Sequence, residues 1–415
     1  ARAAARRRKA DRKRRAAGEP LRIDFFHQVD DPYSHLAVQA LPRIAEHYDV
    51  EIVPHLAGPP DATNAPEAEP LARYAGDYSR NIAPHYGLAF PEASAPSEEL
   101  VALAQRCLAG VDDGDFAERA IAVGGALWAG EKAELERLAQ SGPLVDAAAS
   151  ERGVAEGSAR RQKLGHYSGG MFHYAGEWYW GVDRLHHLER HLGELGLARN
   201  PDALQFGRPS LESVRAPGWT LEFYPSLRSP YTAIVFDRTV AFAKAAGLDL
   251  DLRPVLPMVM RGVPATLAKG RYIFSDTWRE ALYEGVPYGR FVDPIGRPVE
   301  RAYSLLPWAR EQGRDTELLG SFLRGAFAEG VDTSRDAGLR QVVESAGLSW
   351  ADAQTSLDSE AWRDELEANR LAMYEEGLWG VPSSRVIDPE GRKRLACWGQ
   401  DRLWLVGRVI AAAAE

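Results

Sequence analysis

Cysteine is nearly absent: only Cys107 and Cys397 occur in 415 residues, one in each half and in non-equivalent settings. Two such residues cannot build a disulfide scaffold, and without a Cys-x-x-Cys pair the chain has no dithiol redox centre. Long apolar runs are missing too. Every apolar stretch falls far short of the ~20 residues of a membrane span, and no apolar leader segment opens the sequence. The expected setting is therefore a reducing cytoplasm, with no membrane partner. Histidine is absent from one half, since all ten lie at or before His191. What the chain does have, an apolar fraction of 45% with many aromatics, is the composition of ordinary globular domains.

Charge is unevenly placed. Residues 1–20 carry nine Arg or Lys against Asp11 and Glu19, so the formal charge of −9 for the whole chain leaves about −16 for the rest. Residues 1–19 are expected to be a basic flexible tail. The composition argues against a nucleic-acid partner, because nothing in the acidic body continues the basic surface.

The sequence also says one thing twice. Ile23-Asp24-Phe25-Phe26 leads to Asp31-Pro32-Tyr33-Ser34, and Leu221-Glu222-Phe223-Tyr224 leads to Ser229-Pro230-Tyr231-Thr232. Arg73-Tyr74 precedes Asp77, as Arg271-Tyr272 precedes Asp276. Trp180-Gly181-Val182-Asp183-Arg184-Leu185 has its counterpart in Trp398-Gly399-Gln400-Asp401-Arg402-Leu403. Three markers in one order imply a duplicated unit of about two hundred residues. The expected parts are a tail 1–19, a first domain 20–199, a linker 200–218 rich in Pro and Gly, and a second domain 219–415.

Each half opens with a short strand, a Pro-containing turn and an Ala-rich stretch of helical spacing, through Leu36, Ala37, Leu41, Ile44 and Ala45 in the first. A second strand follows, then a helical block (98–150 and 301–376), then a hairpin before the Trp-Gly run. The order βαβ, helices, ββα predicts an α/β chain of two tandem thioredoxin-like domains, each with a helical insertion.

These residues carry a resemblance. From Leu221 onward the chain resembles the 2-hydroxychromene-2-carboxylate isomerase and kappa-class glutathione transferase branch of the DsbA-like thioredoxin superfamily. The likeness rests on Ser229-Pro230-Tyr231, on Tyr272 with Asp276 and Arg279 before Gly285-Val286-Pro287, on Gly380-Val381-Pro382-Ser383, and on Trp398 to Leu403. It implies that Ser229 stands where redox relatives keep their first cysteine, and that glutathione or another low-molecular-weight thiol is the cofactor. A helix N-terminus and a hydroxyl donor both favour a thiolate, although Ser229 in this place also suits an N-cap. By the same likeness Pro230 and Tyr231 border the thiol. Val381 before a cis Pro382, with Ser383, grips its peptide backbone, and Asp401 with Arg402 meets its charged ends.

The first half departs from this pattern and reads as a degenerate copy. Asp31 replaces the serine, Asp30 precedes it, and the Gly-Val-Pro loop is read as Gly165-His166-Tyr167 without a proline. A carboxylate there repels a thiolate. His27, Asp31, His35 and His166 are instead expected around the equivalent cleft, as acid–base groups or, for the three histidines, metal ligands. Asp31 is expected to stay ionised and His27 to gain basicity from it.

The reading is a thiol-dependent isomerase or transferase acting on a small conjugated or aromatic-derived substrate, with Ser229 at its centre. The alternatives are a His/Asp enzyme site in the first half and a non-catalytic peptide- or thiol-binding scaffold. A homo-oligomer stays open.

Overall fold

Each half of the chain opens with a strand buried along nearly its whole length, β1 (Arg22–His27) and β5 (Thr220–Tyr224). Apolar side chains on both faces, such as Phe25 and Phe26, suit a strand flanked by neighbours and covered on both sides. The computed structural model describes residues 2–19, 21–92, 95–200 and 204–414, so residues 201–203 of the expected linker lie outside the described residues. The chain divides into units Ala1–Pro209 and Ser210–Glu415.

In the first unit, α1 (Arg2–Ala16) precedes β1. Helices α2 (Pro32–Val38) and α3 (Leu41–His47) then lead to β2 (Glu51–Leu56). Five helices follow: α4 (Ala68–Ile82), α5 (Glu98–Leu108), α6 (Asp113–Trp128), α7 (Lys132–Ser141) and α8 (Ala147–Lys163). The hairpin β3 (Met171–Tyr174) and β4 (Glu177–Trp180) and the helix α9 (Leu185–Glu194) complete the unit. The sheet order is β2-β1-β3-β4, with β1 parallel to β2 and the other pairs antiparallel. Ala175 and Gly176 both have positive φ, the conformation a tight two-residue hairpin turn requires.

In the second unit a single helix, α10 (Pro230–Ala246), links β5 to β6 (Asp249–Leu252). Its insertion comprises α11 (Leu267–Glu284), α12 (Arg297–Ser304), α13 (Leu306–Glu311), α14 (Asp315–Arg324), α15 (Asp336–Ser345), α16 (Trp350–Ala353) and α17 (Trp362–Glu375). Then come β7 (Ser383–Ile387), β8 (Lys393–Trp398) and α18 (Leu403–Ala414). The order β6-β5-β7-β8 and the strand senses repeat those of the first sheet. The architecture is mixed α/β, with two four-stranded sheets.

Two expectations change. The continuous first helix through Leu36 and Ile44 is broken between α2 and α3, because Pro42 has no N–H for the preceding turn and its ring collides with that turn's carbonyl. The basic tail is not a flexible arm: its Ala, Arg and Lys content forms α1, which packs against α9. Arg7 donates to Glu177 at 2.8 and 2.9 Å, and Arg14 donates to Tyr174 Oη at 2.8 Å.

Each unit has its own aromatic core. Phe25, Phe172 and Tyr179 fill the first, and Phe223, Phe236, Tyr303 and Trp362 the second. Each such ring contributes about 2–3 kcal/mol on burial. Among the described residues no helix is long and apolar enough to cross a membrane.

Candidate functional site

In the second unit two loops emerge side by side from paired strands. Tyr224 at the end of β5 pairs with Ser383 at the start of β7, so the loop that leaves β5 begins beside the loop that enters β7. The first loop is fixed from below: Ser226 N donates to Thr232 Oγ1 at 3.3 Å, and Leu227 N donates to Tyr303 Oη at 3.1 Å. It delivers half-buried Ser229 as the N-cap of the seventeen-residue α10, with Pro230 in the first turn. Ser229 Oγ accepts from Thr232 N at 3.2 Å, which leaves the hydroxyl hydrogen to point elsewhere.

Around it, Tyr231 Oη donates to Asp276 Oδ2 at 2.9 Å, and Arg279 donates to Asp276 Oδ1 at 2.6 Å. In the second loop Val381 is half-buried, and the Val381–Pro382 bond is cis. Ser383 is buried and its hydroxyl donates to Gly380 O at 2.7 Å, so its side chain is held within the loop. Asp401 and Arg402 are buried and paired with each other at 3.2 Å. Cys397 is a core residue, and burial pushes its thiol up to about 12.

The first unit repeats this loop geometry with other chemistry. Gln28 N donates to Ser34 Oγ at 2.9 Å, as Ser226 does to Thr232, and Asp31 caps α2 by accepting from Tyr33 N at 3.1 Å. The partner loop is not the one expected. Gly181 N donates to Gly170 O as Gly399 N donates to Pro382 O, and Met171 follows Gly170 as Ser383 follows Pro382. The counterpart of Val381-Pro382 is therefore Gly169-Gly170, which starts three residues beyond His166.

The predicted His/Asp cluster does not assemble. His27 Nδ1 lies 2.9 Å from Ser34 Oγ, and its ring meets Phe116 edge-on. His35 packs on Phe90. His166 lies between Tyr167 and Trp178 and accepts from Ser168 N at 3.2 Å. Trp178 also touches Phe26, whose side chain points away from His27's because neighbours on a strand alternate, so His27 and His166 occupy opposite faces of the sheet. His27, His35, His166 and Asp31 do not share a point at which a metal ion could be held.

The electrostatics also run against expectation. Burial, with His35 nearby, pushes His27 down to about 3, and burial pushes His35 down to about 4. Burial, with the Asp30 carboxylate, pushes Asp31 up to about 7, partly offset by backbone donors and Arg161. Asp31 is thus not held firmly ionised, and His27 is not made more basic.

These shifts set opposite pH trends. Between about pH 4 and 6.5 the unfolded histidines bind protons that the folded ones do not, so stability falls as pH falls. Asp31 retains a proton in the fold above its ordinary value of 3.8, so its contribution falls as pH rises through about 7. Asp31→Asn, which still caps the helix, should stabilise the first unit by about 1–2 kcal/mol at pH 8 and by nearly nothing at pH 4. Hydrogen exchange of β1 amides at both pH values measures this; equal gains at both would refute the assignment.

One pair of residues escaped the sequence reading. Asp24 and Glu222 occupy the same register position of β1 and β5, and both are buried. Asp24 lies 2.8 Å from both His55 and Arg160, and Glu222 lies 2.5 Å from Arg385 and 3.1 Å from Arg253. An acid inside an apolar strand was the available signal.

Residues 220–410 match the DSBA-like thioredoxin domain family. No curated protein matches the chain. Among solved structures, 2-hydroxychromene-2-carboxylate isomerase is 18% identical and aligns over 47% of this chain and 96% of its own, with a TM-score of 0.40. A probable DsbA oxidoreductase from Streptomyces coelicolor is 20% identical over 47% and 90%, with a TM-score of 0.37. The cytosolic disulfide reductase DsbM from Pseudomonas aeruginosa, solved with GSH, is 18% identical over 47% and 97%, with a TM-score of 0.34.

Proposed function

We propose that the chain is a tandem pair of thioredoxin-like domains whose second unit binds glutathione or a similar low-molecular-weight thiol and acts as an isomerase or transferase on a small conjugated substrate. The observation that carries this is Ser229: a hydroxyl with its hydrogen uncommitted, at the positive end of a long helix, in a unit matching the DSBA-like family. The residues present fit a thiolate, which needs a donor and a positive potential. Bound there, the thiol would supply a nucleophile that adds reversibly to a conjugated double bond, allowing rotation about it or loss of a leaving group.

The chain's own part is positioning. Ser229 donates to the sulfur and lowers its proton affinity, as the helix end also does. The Val381 main chain meets the peptide backbone of the thiol in strand fashion, and Pro230 and Tyr231 border it. Tyr231 is held by Asp276, itself held by Arg279, so the rim of the site is rigid before any ligand arrives. Asp401 and Arg402 stand in the proposal as partners for the charged ends. A reducing cytoplasm suits such a cofactor.

The test is to titrate glutathione into the full chain while recording thiolate absorbance, then to offer an electrophilic chloroarene and a conjugated enone. Saturable binding with thiolate formation at neutral pH, mapped to the second unit by hydrogen exchange, is expected. Binding of the thiol without ionisation, or protection confined to the first unit, would sink the proposal.

A further inference from the structure

The first unit contains a cavity of about 230 Å³ beside the α2 N-terminus, larger than the about 150 Å³ that accommodates a benzene ring. Its wall is mostly apolar, including Pro59, Pro60, Leu71 and Trp180. Its polar lining includes Gln28, Asp30 and Asp31, neighbours on the loop that enters α2, together with Ser168. We infer that this cavity binds a small organic cation, a primary amine with a compact apolar body.

The loop offers acceptors. Asp31 Oδ1 takes the Tyr33 N–H, while Oδ2 is directed at Gly169, where an added methyl would stand 3.1 Å from it and 2.8 Å from Gln28 Oε1. Gln28 is 7% exposed, and its amide nitrogen donates to Asp30 at 3.1 Å. Among the described residues its carbonyl oxygen accepts no hydrogen bond. An amide carbonyl and two carboxylates match the three N–H donors of an ammonium group. Arg161, buried and donating to Gly58 O at 2.9 Å, is the nearby cation; it leaves one negative charge in excess when both acids are ionised.

Comparison with the second unit sharpens the choice of ligand. Where the first unit has Gln28, Asp30 and Asp31, the second has Ser226, Arg228 and Ser229. Asp30 is exposed and, among the described residues, has only Gln28 as a hydrogen-bond partner, while Arg228 is paired with Asp293 at 2.7 Å. The same loop thus presents a negative end in one unit and a neutral hydroxyl in the other. The ring of Trp180, 5.1 Å from that of Tyr33, adds an aromatic wall against which an apolar body or a cation packs well.

The experiment is calorimetric titration of the full chain at pH 8 with phenethylamine, with phenethyl alcohol of the same shape, and with phenylpropionate. Phenethylamine should bind at one site. The alcohol should bind about tenfold or more weakly, and the carboxylate not measurably. Asp30→Asn/Asp31→Asn should weaken phenethylamine by about tenfold or more while leaving the glutathione titration unchanged. Asn still caps α2, and a melting curve confirms that the variant is folded. No amine binding, equal binding of the alcohol, or full amine binding by the double variant overturns the inference.

Discussion

Replacing Ser229 by alanine should weaken glutathione binding at neutral pH by about 10- to 100-fold, because a hydrogen bond to a charged group contributes about 1.5–3 kcal/mol. The loss should be confined to the thiolate form, so wild-type and variant affinities should converge at pH values where the bound thiol is protonated. The substitution also removes the cap on Thr232 N, at a cost of about 1 kcal/mol in helix stability, and unfolding must be measured alongside. Ser229→Asp separates the two effects. It caps α10 as well as serine does, yet places at the site the carboxylate that the first unit carries as Asp31. Stability should therefore be kept while thiol binding falls below that of the alanine variant. If the alanine variant binds the thiolate as tightly as wild type, or the aspartate variant is unimpaired, Ser229 has no part in thiol binding.

Much of the scaffold was legible because it is written in local patterns. Apolar strands, a Pro-containing turn and Ala-rich helical spacing mark the βαβ start, and the hairpin of the first unit spans Met171–Tyr174 and Glu177–Trp180 as its residues suggest. Ser229 was legible as a helix start for the same reason, since Pro in the first turn and a preceding hydroxyl are sequence-local. What failed depends on chain passing at a distance. The sequence reads as placing Gly165-His166-Tyr167 opposite Asp31, but register is set by pairing with β1 and puts Gly169-Gly170 there. The histidines failed differently: His27 and His35 are buried against Phe116 and Phe90, and burial depth, invisible in a list of residues, decides their basicity. The broken first helix was readable from Pro42, whose effect on the preceding turn outweighs apolar spacing.

Arg385→Met should cost the second unit about 3 kcal/mol of stability, because it strips Glu222 of its shortest ion-pair partner. Glu222 is buried in the middle of β5, and Arg385 stands directly opposite on β7, in contact with both its oxygens. Arg253 at 3.1 Å and the Tyr224 hydroxyl at 2.8 Å remain, which keeps the loss near the lower end of the about 3–5 kcal/mol for breaking a buried pair. The pair does more than hold a sheet together. β5 runs into the loop that ends at Ser229, and β7 starts directly after Pro382, so the same contact fixes the spacing between the two segments assigned to the thiol. The variant should accordingly weaken glutathione binding as well as stability, whereas Asp388→Asn, at the far end of β7, should leave binding unchanged. Glu222→Gln combined with Arg385→Met should recover most of the lost stability, since no charge is then buried without its partner. Urea unfolding across this cycle, paired with a glutathione titration of each variant, measures both effects. Additive losses in the double variant would show that Glu222 and Arg385 act independently, and unchanged binding in Arg385→Met would uncouple the strand pair from the site.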